Sequence, residues 1–398
     1  MNETAVRRNA REVELAWDHD NAADGMTSVA KLLQVEPLGH ARHVTTFRTR
    51  TPTSSGKMAM RTVKGGWRAA AVRVKTQVSV SGAGSRVASL FPGQGSQSVG
   101  MGADLAHTSE AANRTFEAAS DICGYDVLRV CSEGPEEVLN QTDVSQPAIY
   151  TCSLAALESL RNSDSEACSD IERTGLTAGL SLGEYTALTF AGSIGFEDGL
   201  RLVKERGEAM QAASQQNPGG MATVVGLRLD QTQELVRRAK ENTGDADNAM
   251  LEVANILCPG NYTISGSTNA IDEAEKLAQD SGSELKAKRF IRLPVAGAFH
   301  TQLMNPAAER LKQALDKVEV AKPKLSVLSN ATAREYASTS DVRELLRAQL
   351  VSPVRFEECI RYMLECGFGQ CYEIGPGQAI AGLLKRMQPP ASVSSISA

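Results

Sequence analysis

The segment Thr174–Phe190, TGLTAGLSLGEYTALTF, decides the fold, because an apolar run is followed by a glycine-containing turn and then by a helical pattern. Within it, Gly179, Ser181 and Gly183 have the Gly-x-Ser-x-Gly spacing that holds a serine on a sharp turn between a strand and a helix. A serine in this position is a candidate nucleophile, and the alternative is a serine that only caps the helix. Leu180, the residue before it, has an apolar side chain that can do no chemistry.

Strands and helices alternate on both sides of this segment, which predicts a parallel α/β sheet that begins at Val87. Between residues 215 and 292 the order becomes strand, helix, strand, strand, helix, strand, which is typical of a ferredoxin-like unit. We therefore predict a main body of residues 87–214 and 293–390, with the ferredoxin-like unit of 215–292 inserted in it. The last residues, 391–398, are interpreted as a mobile tail.

Residues 37–86 include ten Arg and Lys and no Asp or Glu, a composition typical of an organelle transit peptide. A disordered basic tail on a cytosolic protein is the alternative. Five acidic side chains among residues 12–24 fit a transit peptide poorly, and a start at Met26 or Met58 would omit them. We exclude residues 1–86 from the fold and expect them to be disordered.

The composition of the remaining chain excludes several classes of protein. It carries 28 basic and 40 acidic side chains, which argues against non-specific binding to nucleic acid. No uninterrupted apolar run approaches the roughly 20 residues that a membrane-spanning helix needs. The eight cysteines contain no Cys-x-x-Cys pair, so we expect reduced, mostly buried thiols rather than a disulfide framework or a metal site.

A nucleophilic serine needs a base, and the five histidines of the chain supply few candidates. Three of them lie in the excluded segment, and His107 stands in a polar helical stretch. His300, in LPVAGAFHTQLM, is therefore the candidate base, and a hydrogen-bonded core histidine is the alternative. The backbone N–H of Leu182 and that of Gln94, in the loop FPGQGSQ, are candidate donors to an oxyanion, whereas an ordinary glycine turn is the alternative for the loop.

Five motifs occur in order between Val87 and Arg386: LFPGQGSQSVGMG, GLSLGEYTALTFAG, VKERGEAMQ, VAGAFHTQLM and EIGPGQAIAGLLKR. In them the sequence resembles the malonyl-CoA:acyl carrier protein transacylases of type II fatty acid synthesis. The resemblance implies an α/β-hydrolase-like body with an inserted ferredoxin-like subdomain. It also implies residue roles: Ser181 as nucleophile, His300 as base, Gln94 and Leu182 as oxyanion donors, Arg206 as partner of the malonyl carboxylate, Gln349 as the residue whose main-chain carbonyl orients the histidine, and Phe299 as a pocket residue that disfavours an α-methyl branch.

The implied reaction is a ping-pong transfer, in which the malonyl group of malonyl-CoA passes to Ser181 and then to the phosphopantetheine thiol of acyl carrier protein. It needs no bound cofactor and no metal, and it implies a monomer with the carrier protein as a transient partner. Because carrier proteins are acidic, basic side chains are candidates for the docking surface: Lys286, Lys288, Arg289, Arg292, Lys385 and Arg386.

Two segments depart from the usual pattern of this family. Leu180 replaces the histidine that commonly precedes the nucleophile, and ANILCPGNYTISG differs from the common bacterial form. Both resemble plant and algal plastid members, so the plastid stroma is the predicted location and the mitochondrial matrix the alternative. The alternative functions are a serine hydrolase, such as a patatin-like lipase, and an acyltransferase-like scaffold without activity. The Asp-Gly motif that a patatin-like enzyme needs near the chain end is missing.

Overall fold

The computed structural model describes residues 48–52, 58–62, 86–244, 249–295, 297–387 and 391–397. The chain divides into two units, Met1–Ser81 and Gly82–Ala398. In the first unit, the strands β1 (Arg48–Pro52) and β2 (Met58–Thr62) pair antiparallel, so these ten residues depart from the predicted disorder. Apart from Arg86, which begins the next strand, the rest of the predicted transit-type segment lies outside the described residues.

The larger unit contains nine strands and fourteen helices among its described residues. The strands are β3 (Arg86–Phe91), β4 (Thr174–Gly179), β5 (Gly219–Val225), β6 (Leu251–Cys258), β7 (Asn261–Ser267), β8 (Arg289–Arg292), β9 (Ser326–Val327), β10 (Phe368–Ile374) and β11 (Ser392–Ile396). The helices are α1 (Ala103–Thr108), α2 (Glu110–Cys123), α3 (Val127–Glu133), α4 (Glu136–Leu139), α5 (Thr142–Arg161), α6 (Glu166–Glu172), α7 (Gly183–Phe190), α8 (Phe196–Gln216), α9 (Leu229–Asn242), α10 (Thr268–Gln279), α11 (Asn305–Leu315), α12 (Thr339–Gln349), α13 (Phe356–Glu365) and α14 (Ala379–Met387).

The central sheet has the strand order β11-β10-β3-β4-β9, and every neighbouring pair is parallel. Along β3, Val87 and Phe91 belong to one apolar cluster, whereas Ala88 and Leu90 belong to another. Because alternate side chains of a strand point to opposite faces, the sheet has a core on each face. The predicted α/β protein with a parallel sheet is therefore confirmed.

The second sheet has the strand order β6-β7-β5-β8 and is antiparallel throughout. Helices α9 and α10 pack against it through a separate apolar cluster that includes Leu235 and Ala274. Between Gly219 and Arg292 the elements follow the order strand, helix, strand, strand, helix, strand. Both ends of this segment connect to elements of the larger body, α8 and the residues before α11.

The end of the chain is not the mobile tail that the sequence suggested. Strand β11 pairs with β10 from Gln370 opposite Ser392 to Ile374 opposite Ile396. Its side chains Val393 and Ile396 pack against the apolar clusters on the two faces of the sheet. The interpretation of residues 391–398 as a tail was wrong because a serine-rich segment still provides a full set of backbone hydrogen bonds for an edge strand.

The fold gathers the ends of three neighbouring strands, β3, β4 and β9, at one edge of the central sheet. In parallel sheets the loops after the carboxyl ends of the strands commonly form the site. Among the described residues no helix is long and apolar enough to cross a membrane. The eight cysteines are free thiols, and seven of them are buried.

Candidate active site

Ser181 lies on a strained turn at the end of β4. Its φ of 51° is in the left-handed region, which non-glycine residues rarely adopt. The turn is so tight that a Cβ atom on Gly179 would lie 1.9 Å from the carbonyl carbon of Gly183. The Gly-x-Ser-x-Gly spacing therefore has a steric cause here, and Ser181 stands just before Leu182, the N-cap residue of α7.

Ser181 and His300 form the central contact of the site. The Ser181 Oγ and the His300 Nε2 are 2.9 Å apart. The other ring nitrogen, Nδ1, is 2.7 Å from the main-chain carbonyl oxygen of Gln349, which can only accept a hydrogen bond. Nδ1 therefore carries the proton, and Nε2 is left as the acceptor for the serine hydroxyl.

The environment of His300 keeps its ring neutral. Burial, with a smaller contribution from the positive charge of Arg206, lowers the pKa of His300 to about 4. The backbone of His300 is also in the left-handed region, with a φ of 60°. The residue is thus held as an unprotonated base beside Ser181 over the neutral pH range.

Gln349 is the last residue of α12, where the final carbonyl groups of a helix lack partners within the helix. Its carbonyl is therefore free to accept the hydrogen bond from His300. Its amide side chain also takes part in the site, since Nε2 donates to the carbonyl oxygen of Ser181 at 2.9 Å and Oε1 accepts from Arg206 at 3.0 Å.

Arg206 extends from α8 into the same site and is 1% exposed. Its guanidinium donates to Ser181 Oγ at 3.0 Å, to Gln349 Oε1 at 3.0 Å and to Gln146 Oε1 at 2.7 Å. It also lies over the ring of Tyr185, 5.5 Å from the centroid. All these hydrogen-bond acceptors are neutral, so within the described part of the chain the cation has no carboxylate in direct contact. A buried arginine in this state is suited to a carboxylate brought by a ligand.

The two candidate oxyanion donors lie on adjacent strand ends. Leu182 follows Ser181 and is fully buried, and Gln94 follows β3 and lines the cleft beside Ser181. The loop approaches the turn so closely that a Cβ atom on Gly93 would lie 2.2 Å from the carbonyl oxygen of Leu180. The structure thus brings Gln94 next to the serine from a segment about 90 residues earlier in the chain.

These groups open into a cleft of about 280 Å³ between the central sheet and the four-stranded sheet. One wall carries the polar groups described above. The other is formed by side chains of the four-stranded sheet and of the segment after β8: Met221, Thr223, Asn255, Leu257, Thr263, Leu293, Pro294 and Val295. Phe299 is 6% exposed and lines the cleft, as does Met210.

Four further residues belong to the site although they were not predicted from the sequence. Asn330, after β9, accepts the backbone N–H of Ser181 at 2.7 Å and donates to the carbonyl of Gly179 at 2.8 Å. Glu184, Tyr336 and Gln146 complete the buried network around it and around Arg206. A signal for Asn330 was present, because a polar residue in the loop that follows a parallel strand lies at the edge where sites form.

No group of three or more His, Cys, Asp or Glu side chains among the described residues is arranged to hold a metal ion. The chemistry that these residues can support is that of a serine nucleophile with a neutral histidine base and an anion-binding arginine.

The comparisons with known proteins agree with this geometry. A family model described as "Acyl transferase domain" matches residues 89–387. The malonyl CoA-acyl carrier protein transacylase of Bacillus subtilis (strain 168) is 38% identical over 303 residues, which cover 76% of this chain and 90% of the relative. The mitochondrial malonyl-CoA-acyl carrier protein transacylase of Homo sapiens is 41% identical over 315 residues, which cover 77% of this chain and 79% of the relative.

Solved structures of similar proteins match most of this chain. The malonyl CoA-acyl carrier protein transacylase from Coxiella burnetii has a TM-score of 0.70 at 34% identity and covers 78% of this chain and 94% of its own. A malonyl-transacylase in complex with a type II PKS acyl-carrier protein has a TM-score of 0.71 at 36% identity and covers 78% and 96%.

Proposed function

The chain belongs to the family of acyl transferase domains, and from this membership and the geometry of the cleft we propose that it transfers the malonyl group of malonyl-CoA to the phosphopantetheine thiol of acyl carrier protein. The observation that carries the proposal is the convergence of Ser181, His300 and Arg206. The hydroxyl of Ser181 is hydrogen-bonded to both His300 and Arg206. A plain serine hydrolase has no need of a buried arginine at this position, whereas a substrate with a free carboxylate does.

In the first half of the reaction, Ser181 Oγ attacks the thioester carbonyl while Nε2 of His300 takes its proton. Coenzyme A leaves as the thiol with that proton, and malonyl-serine remains. In the second half, the phosphopantetheine thiol gives its proton to His300 and attacks the ester, and Ser181 leaves with the proton returned. His300 can serve both halves because its pKa of about 4 keeps it neutral between them.

Arg206 binds the malonyl carboxylate in this proposal. A carboxylate is a stronger acceptor than the amide and hydroxyl oxygens that the guanidinium contacts in the free protein. When the guanidinium binds the malonyl carboxylate, Ser181 Oγ loses the hydrogen bond from Arg206. The thioester carbonyl is then fixed beside Ser181 Oγ. The backbone N–H groups of Leu182 and Gln94 are then suited to stabilise the oxyanion, and the ring of Phe299 disfavours a branched acyl group.

The carrier protein docks, we infer, along the rim of the cleft where exposed basic residues stand next to cleft-lining ones. Lys288 and Arg289 are exposed at the start of β8, the strand that leads into the lining residues Leu293 and Pro294. On the other side, Arg386 of α14 lies beside Cys258, the residue after the lining residue Leu257.

Lys286 and Lys385 extend the same surface and are exposed. Arg292 is a weaker candidate, because it is paired with Asp272 at 2.7 Å and with Glu275 at 2.5 Å. A cation that is already paired with carboxylates attracts an acidic partner less strongly.

The domain assignment and the location are part of the proposal. The alternation of strands and helices supports an α/β-hydrolase-like body of residues 87–214 and 293–390, and the order β6-β7-β5-β8 supports a ferredoxin-like insertion at 215–292. The acid-free composition of residues 37–86 supports an organelle address. Relatives named as mitochondrial, from human and mouse, favour the mitochondrial matrix over the plastid stroma. A fusion of residues 1–86 to a fluorescent protein, imaged in plant cells, decides between the two organelles.

The test of the function is the intact mass of the protein after incubation with malonyl-CoA. We expect one malonyl group on the native protein, none on Ser181→Ala, and transfer to holo carrier protein when that is added. Rapid release of free malonate without the carrier would favour a serine hydrolase instead. A native protein that takes up no malonyl group would be an inactive scaffold.

A further inference from the structure

Glu184 is a buried carboxylate three residues after the nucleophile, and the reaction proposed above assigns it no part. It lies in the first turn of α7 and is 0% exposed. A carboxyl group is costly to bury without partners, so the buried Glu184 needs hydrogen bonds that offset this cost.

The carboxylate holds together three separate segments of the chain. Its Oε2 accepts the side-chain Nε2 of Gln349 at 2.6 Å and the backbone N–H of Asn330 at 2.9 Å. Its Oε1 accepts the hydroxyl of Tyr336. These partners come from the end of α12 and from the loop after β9, whereas Glu184 itself belongs to α7.

Two of the three partners of Glu184 contact a reacting or substrate-binding group. Gln349 accepts from His300 through its main-chain carbonyl at 2.7 Å and from Arg206 through its Oε1 at 3.0 Å. Asn330 accepts the backbone N–H of Ser181 at 2.7 Å. A single residue, Gln349 or Asn330, thus links the carboxylate to the nucleophile, the base and the cation.

The charge of Glu184 fixes which way the Gln349 amide faces. An ionised carboxylate can only accept hydrogen bonds, so the NH₂ group of Gln349 must face it and the oxygen must face Arg206. If the carboxyl group becomes neutral, the charge-assisted hydrogen bond from Gln349 Nε2 to Glu184 is weakened, and the amide is held mainly by Arg206 and by the carbonyl of Ser181. Gln349 is then held less firmly, and so is its main-chain carbonyl, which orients His300.

We propose that Glu184 is a positioning residue of the acyl transfer, whose ionised carboxylate sets Gln349 and Asn330 and through them the alignment of Ser181, His300 and Arg206. This inference rests on the proposed function, because it concerns the rate of malonyl loading at Ser181.

The inference gives the loading reaction a distinctive pH dependence. Burial raises the pKa of Glu184 to about 7, although its hydrogen bonds and the charge of Arg206 act in the opposite direction. The other titratable groups that face it are Tyr185 of α7, Tyr336 of the loop before α12 and Cys359 of α13, and burial raises the pKa of each of them. They remain neutral between pH 5 and 9, so Glu184 is the group whose charge changes there.

The experiment measures the single-turnover rate of malonyl loading between pH 5 and 9 by quenched mass spectrometry. In the native protein we expect the rate to fall as the pH decreases through about 7. In Glu184→Gln we expect no such step, and a rate at pH 8 that is lower by about 10- to 100-fold, the loss that follows when a charge-assisted hydrogen bond is weakened. His300 cannot produce the step, because its pKa is about 4.

The matched control is Glu373→Gln. Glu373 is also a buried carboxylate, but it accepts the backbone N–H groups of Ile380 and Ala381 at the start of α14. This variant should keep the step near pH 7. If it loses the step as Glu184→Gln does, or if Glu184→Gln loads malonyl with the native rate and pH profile, the inference is overturned.

A second variant covers the case in which Glu184→Gln does not fold. Tyr336→Phe removes one donor to the carboxylate and leaves Gln349 and Asn330 in place, so the step should move to higher pH. An unchanged midpoint in Tyr336→Phe would also overturn the inference. The proposed function fails separately, if the native protein forms no malonyl-serine at any pH.

Discussion

The two reacting residues are held in backbone conformations that they would not choose in isolation. Ser181 and His300 have φ values of 51° and 60°, and each such conformation costs about 1–3 kcal/mol. Asn330 restrains the first through the backbone N–H of Ser181, and Gln349 restrains the second through the ring of His300. The surrounding hydrogen bonds therefore offset the strain and keep the hydroxyl and the ring aligned before substrate arrives.

Arg206 is the residue whose removal should change substrate choice. Arg206→Ala deletes the cation proposed to hold the malonyl carboxylate, so we expect the kcat/KM for malonyl-CoA to fall by about 100-fold and that for acetyl-CoA to fall much less. The control is Arg201→Ala on the same helix, an exposed arginine paired with Glu197 and Asp198. Equal losses for the two thioesters would contradict a role in binding the carboxylate.

The burial of Glu184 also predicts how stability depends on pH. The pKa of Glu184 is about 7 in the folded state, compared with 4.5 for an unperturbed glutamate. The folded state therefore binds more protons between these values, so native stability is lost as the pH rises from 4.5 to 7. Glu184→Gln lacks this loss, and its free energy of unfolding relative to native should increase by about 3 kcal/mol over that range. Urea unfolding at pH 4.5 and pH 8 measures the difference, and a constant difference would contradict the prediction.

The residues found from sequence and those missed differ in how they reach the site. Ser181 was predictable because its turn is local, and His300 because few histidines competed with it. Glu184 and Asn330 were missed, since the bond between them joins residues 146 positions apart. Only the order of β4 and β9 in the sheet brings the two together.

At the scale of elements, the turn between β4 and α7 depends on glycine for steric reasons. In Gly179→Ala the new Cβ atom would collide with the backbone of Gly183 at 1.9 Å, so we expect a loss of about 3 kcal/mol or more in the free energy of unfolding. Gly382→Ala is the control, because it lies within α14 and its Cβ atom would meet nothing within 4 Å. That variant should gain about 0.5–1 kcal/mol. Urea denaturation midpoints compare them, and similar midpoints would refute the steric explanation.

Some strands could be predicted from their local sequence pattern, whereas others could not. The strands β3 and β4 were predictable because a buried parallel strand is an apolar run, whatever its partners. Strand β11 was not, because SVSSI is a strand only beside β10, which provides its hydrogen bonds. An edge strand of this composition is defined by its neighbour and carries little signal of its own.

At the scale of the whole molecule, the net charge is negative, whereas the proposed docking surface is positive. Residues 87–398 carry 12 more acidic than basic side chains, a balance that repels an acidic partner at long range. The proposed docking surface places exposed lysines and arginines beside the cleft, where the carrier must deliver its thiol. Association should therefore depend on a few local cations, and the dependence should weaken as salt screens them.

The double variant Lys288→Glu, Lys385→Glu reverses two exposed charges of the proposed docking surface. We expect the KM for carrier protein to rise by about 10-fold at low salt, with a smaller effect at high salt, because rim charges act mainly on the rate of association. The rate of malonyl loading from malonyl-CoA should stay native, since neither lysine lines the cleft. Lys317→Glu, exposed beyond the far end of α11, is the matched control and should leave both parameters native. A double variant that slows loading and carrier transfer equally would show that these lysines support the site itself, and the docking surface would have to lie elsewhere.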